Sequence, residues 1–228
     1  GAVVRGRAAE REDPFVCPDP TSGGFGSGVP SSTGPFDILV IGASFGGPKA
    51  IETVLSALPW RFPIPIAVCQ HITPGMTTMW AERLDRGCHL KVAEAADRCR
   101  LAPRTVHIAP AGLQMRVVDG PLGPHARLDA DFADSLHVPS VDVLFSSAAS
   151  AFGPRALGVL LTGLGSDGAT GCVQIRDAGG RTIGEAKSTA TSYSMPGAAA
   201  AAGGIVEELP LDRIAGRLIE LAATSSGR

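Results

Sequence analysis

The sequence predicts an α/β fold: a doubly wound, mostly parallel sheet with helices on both faces and a small antiparallel hairpin. Three observations carry this expectation. Phe36–Ile41 (FDILVI), Pro65–Gln70 (PIAVCQ) and Ala156–Leu161 (ALGVLL) are short and apolar at nearly every position, as strands covered on both faces are. Segments with apolar residues at helical spacing follow such runs. Glycine-rich turns join the first and third runs to what comes next.

In chain order, the first run leads into Gly47–Leu58, where Ala50, Ile51, Val54, Leu55 and Leu58 share one helical face. After the second run, Gly75–Arg86 reads as a helix with Met76, Met79, Trp80 and Leu84 on its apolar side. Leu90–Ala95 and Thr105–Ala109 alternate as strands do. Leu113–Val118 and Pro124–Leu128 flank an Asp-Gly-Pro turn and predict the hairpin. Ser140–Ala151 suits a helix with Ser140 as N-cap. Beyond the third run come a helix over Ala169–Ala178, a strand over Arg181–Gly184, an alanine-rich segment over Pro196–Ala202 and a closing helix over Leu211–Ala222. Residues 1–35 hold five prolines and a Gly/Ser cluster but few large apolar side chains, so burial there cannot offset ordering entropy. The expected organisation is a linker or tail over 1–35 and one domain over 36–228.

Charge narrows the function classes. Twenty Lys and Arg against 22 Asp and Glu leave no excess positive charge for a nucleic-acid or membrane-surface binder. Five widely spaced cysteines contain no C-x-x-C pair, which argues against a zinc site or a disulfide framework. Cys69 and Cys172 lie in apolar stretches and read as small core residues. No apolar targeting segment or membrane-spanning run occurs. These features predict a cytoplasmic protein with no membrane insertion.

In parallel sheets ligands bind beyond the carboxyl ends of the strands, so that edge is where chemistry is sought. The first run ends in Gly42-Ala43-Ser44-Phe45-Gly46-Gly47, a G-x-S-x-G turn between strand and helix. Such a turn holds a serine at its tip, facing the free N–H groups of the next helix. A tight turn with Ser44 merely capping that helix is the plain alternative. His71 directly follows the second run and is the best placed of five histidines. His89, His107 and His125 lie at a strand start, inside a strand and in the hairpin, whereas the position of His137 in an irregular loop leaves it open. The third run ends in Thr162-Gly163-Leu164-Gly165-Ser166-Asp167-Gly168. Asp167 there either caps the following helix or accepts the N–H of His71 in a Ser-His-Asp relay.

A rival reading uses the same loop. Gly163, Gly165 and Gly168 match the dinucleotide-binding spacing, and Glu185 ends the next strand where a ribose-binding acid belongs. Against that oxidoreductase reading, Asp167 would set a carboxylate where the pyrophosphate must sit.

Assembled, these motifs resemble the catalytic domain of the CheB family of chemotaxis protein-glutamate methylesterases. The matching stretches are Ile41–Ala50, Gln70–Gly75, Ala81–Leu84, His107–Pro110, Pro139–Phe145, Leu161–Gly171 and Met195-Pro196. The resemblance implies Ser44, His71 and Asp167 as catalytic triad, and the backbone N–H groups of Phe45 and Leu164 as oxyanion donors. It also implies hydrolysis of glutamate methyl esters and deamidation of glutamines on chemoreceptor cytoplasmic helices, without metal or organic cofactor. A receiver domain, absent from this chain, is the family's usual regulatory partner. The chain departs from the family pattern at Phe45 (usually Thr), at Val138 (usually Arg), across Glu185-Ala186-Lys187-Ser188 and at Ser194. These departures bear on substrate fit and leave a non-catalytic adaptor that docks on receptors as a third reading.

Overall fold

The computed structural model describes residues 35–130 and 136–223, so the expected linker or tail lies, except for Pro35, outside the described residues. The elements are β1 (Ile38–Ala43), α1 (Gly47–Ser56), β2 (Ile66–Gln70), α2 (Thr77–Gly87), β3 (Lys91–Glu94), β4 (Thr105–Ile108), β5 (Gln114–Gly120), β6 (Gly123–Asp129), α3 (Val141–Phe152), β7 (Ala156–Leu160), α4 (Ala169–Asp177), β8 (Arg181–Glu185), α5 (Ser194–Ala201), β9 (Glu207–Leu209) and α6 (Leu211–Ala223). A seven-stranded sheet runs in the order β3-β4-β2-β1-β7-β8-β9, and every pairing in it is parallel. The β5–β6 hairpin forms a separate two-stranded antiparallel sheet. The predicted fold class is the observed one.

Side-chain alternation along the central strands divides the core. From β1, Leu39, Ile41 and Ala43 point into a cluster with Ile51 and Val54 of α1, Leu84 of α2 and Leu218 of α6. Ile38 and Val40 point to the other face, where Leu144 of α3, Cys172 of α4, Met195 of α5 and Val117 of β5 pack. Both faces of β1, β2 and β7 are fully covered, which is why these runs contain no polar residue until their ends. The chain proceeds from β1 to β2 on one side and later to β7 on the other. The carboxyl ends of these three strands therefore border the crevice where the winding reverses.

At four points the structure refines or adds to the sequence reading. The link from β3 to β4 contains no helix; residues 95–104 instead lie against the hairpin, with Arg100 bridged to His125. The hairpin turn is Pro121-Leu122, because pairing continues through Asp119 and Gly120 to Gly123, whose φ of 96° completes the reversal. The alanine-rich segment is a helix, α5, beginning two residues before Pro196 so that the proline falls in the first turn. Finally, β9 went unpredicted: three residues, two of them glutamates, form an edge strand held to β8 by backbone pairing.

Candidate active site

Ser44 stands one residue past β1. Its N–H donates to the carbonyl of Thr162 at 3.0 Å, and its own carbonyl accepts from Gly47 N–H at 2.9 Å. Close approach makes the glycines obligatory here. A Cβ on Gly47 would lie 1.9 Å from Gln70 Oε1, and one on Gly163 would lie 2.8 Å from Ser44 Cβ and 2.0 Å from Met195 Sδ. The β7 loop thus abuts the serine directly.

His71 stands one residue past β2, with its N–H donating to Ala43 O at 3.1 Å. Its Nδ1 faces Ser44 Oγ at 3.2 Å, and its Nε2 faces Asp167 Oδ2 at 2.7 Å. A carboxylate only accepts, so Nε2 carries the hydrogen and Nδ1 presents its lone pair to the serine hydroxyl. The three sequence-predicted residues are therefore brought together in one chain of hydrogen bonds. The imidazole is 15% exposed and the carboxylate 5%, so the relay opens to solvent on the serine and histidine side and is sealed at the carboxylate.

Asp167 does not cap the helix it precedes. Gly168, at φ 95°, takes the N-cap position of α4 and turns the carboxylate towards the start of α3. There Val141 N–H donates to Oδ2 at 2.8 Å, while Asp142 N–H and Ser140 Oγ both donate to Oδ1 at 2.9 Å. Burial pushes the Asp167 carboxyl up, but His71, the two amides and the Ser140 hydroxyl outweigh it and hold it below the ordinary carboxylate range. Asp142 returns the contact by accepting Gly171 N–H of α4 at 2.7 Å. The first turn of α3 thus donates to a carboxylate from the loop leading into α4, and the first turn of α4 to a carboxylate from α3.

Several residues at the site escaped the sequence reading. His137, left open there, stacks on His71 with ring centroids 4.2 Å apart and planes inclined by 17°. Its signal was its place directly before the Val138-Pro139-Ser140 segment that leads into α3. Gln70 donates from Nε2 to the carbonyls of Ser44 (2.8 Å) and His71 (2.9 Å); a lone polar residue ending an apolar strand was its signal. A cleft of about 360 Å³ opens beside the imidazole, lined by His71, Thr73, His137 and Pro139. Phe45 and Leu164 project exposed side chains at the same edge, 58% and 57% exposed. His107, by contrast, is buried beside Thr105 and Cys99, where burial pulls it down to about 4.

The dinucleotide reading fails on this geometry. Glu185 is 1% exposed and its Oε2 accepts the Thr162 N–H at 2.9 Å, so it cannot reach a ribose. Gly163 makes room for Ser44 and Met195, and Gly168 serves to turn Asp167 away from α4. Among the described residues, no group of three or more His, Cys, Asp or Glu side chains is arranged to hold a metal ion.

The CheB methylesterase family profile matches residues 39–218. The chain belongs to the CheB methylesterase family. The protein-glutamate methylesterase FrzG of Myxococcus xanthus is 43% identical over 188 residues, covering 82% of this chain and 55% of FrzG. Protein-glutamate methylesterase/protein-glutamine glutaminase 3 of Geobacter sulfurreducens is 41% identical over 194 residues, covering 85% of this chain and 52% of that protein. The chain spans about half the length of these curated relatives. Among solved structures, the Thermotoga maritima CheB methylesterase catalytic domain superposes with a TM-score of 0.79 at 35% identity, covering 82% of this chain and 98% of that domain. The CheB fold and the parallel sheet described above are thus the same architecture.

Proposed function

We propose that this chain is a serine hydrolase that removes methyl groups from glutamate methyl esters of chemoreceptors, releasing methanol, and deamidates receptor glutamines. The observation that carries the reading is the continuous Ser44–His71–Asp167 relay at the carboxyl edge of the central strands. The names of the relatives, methylesterase and glutaminase, support the substrate class. The domain is assigned to residues 36–228, working in the cytoplasm on receptor helices, with a receiver domain as its regulatory partner. No described helix is long and apolar enough to cross a membrane.

In this scheme Nδ1 of His71 takes the Ser44 proton as Oγ attacks the ester carbonyl. Asp167 fixes the tautomer and stabilises the imidazolium that forms. The negative charge on the carbonyl oxygen needs donors, and two nearby amides are already engaged: Ser44 N–H by Thr162 O and Gly163 N–H by Ser192 O. The adjacent amides of Phe45 and Leu164 are assigned this task, each worth about 3 kcal/mol in the transition state. The tetrahedral intermediate collapses, the Oγ–acyl bond remains, and methanol leaves carrying the proton from His71. Water, deprotonated by His71, then attacks the acyl-enzyme, releasing the glutamate carboxylate and restoring Ser44. With a glutamine side chain the same steps release ammonia.

Methanol release from a methylated receptor fragment tests the scheme. The unaltered chain releases it, and Ser44→Ala, folded to the same far-UV spectrum, does not. Equal release by both would remove Ser44 from the mechanism. A serine-directed phosphonate that fails to label Ser44 would instead favour the adaptor reading.

A further inference from the structure

Gln70 ends β2 immediately before His71 and is 2% exposed. The parallel ladder between β1 and β2 makes its last backbone bond from His71 N–H to Ala43 O. Beyond that bond, no backbone hydrogen bond among the described residues joins the serine turn to the histidine turn. The Gln70 side chain supplies the missing link: Nε2 donates one hydrogen to Ser44 O at 2.8 Å and the other to His71 O at 2.9 Å. The amide orientation is fixed by chemistry, since a carbonyl oxygen in that position would face two acceptors. We infer that Gln70 is a positioning residue, a two-pronged clamp that sets the separation of nucleophile and base; this rests on the esterase reading above.

Two further observations support it. The Oε1 of Gln70 is buried and has no hydrogen-bond partner among the described residues, a cost that a methionine or leucine of similar size would not carry. A polar side chain that bears this cost while bonding the carbonyls of both reacting residues is placed for position rather than for burial. Gly47 also lacks a Cβ where one would meet Oε1 at 1.9 Å, so the chain accommodates the glutamine closely. At 3.2 Å the Ser44–His71 contact already lies at the long end for proton transfer, and further opening would separate the pair.

The test compares the unaltered chain with Gln70→Met and Gln70→Glu by steady-state methanol release from a methylated receptor fragment and by the rate of phosphonate labelling at Ser44. For Gln70→Met, kcat is expected to fall about tenfold to a hundredfold with KM within about twofold, and labelling to slow in parallel. Gln70→Glu, which sets acceptors against both carbonyls, loses more, and its loss deepens as pH rises and the new carboxyl ionises. A purely structural role would lower the melting temperature while leaving kcat and the pH profile as in the unaltered chain, and that result overturns the proposal. Should neither variant fold, side-chain amide exchange in the unaltered chain decides. Gln70 NH₂ protons protected from solvent uphold the clamp, and exchange at the rate of a surface glutamine overturns it. Failure of the unaltered chain to release methanol from any receptor fragment rejects the esterase reading itself, and the positioning role falls with it.

Discussion

Two buried carboxylates at the carboxyl edge of the sheet respond to pH in opposite senses. Asp167 is held below the ordinary range, so it stabilises the fold near neutral pH and loses that contribution as pH falls through its depressed folded value. Asp167→Asn is expected to keep the shape of the site but reverse the hydrogen-bonding need at His71, lowering kcat by about 10⁴-fold in a methanol-release assay. Glu185 is raised by burial, only partly offset by the Thr162 N–H and the Thr189 hydroxyl. Its ionised form is therefore a liability near neutral pH that disappears as the pH drops below the raised folded value. Glu185→Gln should raise stability near neutral pH by about 1 kcal/mol, the gain vanishing in acid, as read from thermal melts at the two pH values. That Ser44, His71 and Asp167 meet at one edge was legible because each lies beyond the carboxyl end of a buried run, two directly after it and Asp167 in the loop that follows. Gln70 carried the same mark as the polar end of an apolar strand, but its bonds and those of Asp142 go to backbone groups that no spacing encodes.

At the level of elements, the starts of α3 and α4 are joined by exchanged carboxylates, and Asp167 of the proposed triad is one half of that exchange. Asp142 is raised by burial despite its amide partners, so a neutral acceptor should serve as well. Asp142→Asn is expected to melt within about 0.5 kcal/mol of the unaltered chain, whereas Asp142→Ala loses about 1 kcal/mol of capping. Kinetics on the same pair would show whether the Ala variant also weakens turnover through Asp167. The β7 loop has less tolerance. Gly163→Ala would drive a methyl group into Met195 and Ser44, with an expected cost of about 1–3 kcal/mol in urea melts. The sequence foretold α3 with its Ser140 cap, since the capping residue and the apolar face both leave marks. It could not foretell β9, whose side chains carry no apolar pattern, nor that the helix-free β3–β4 link packs against a distant hairpin.

For the molecule as a whole, sheet class and winding followed from three continuous apolar runs, because strands covered on both faces tolerate nothing else. The order of the seven strands did not follow, since it depends on which edge each crossover reaches. The relay grows from β1, β2 and β7, side by side at the middle of the sheet and sealed on both faces. A hydrogen-bonded relay rooted there has no frayed margin through which to come apart by itself. Titration with urea should therefore extinguish phosphonate labelling and far-UV ellipticity at one shared midpoint, with no range of denaturant in which the protein is folded but inert.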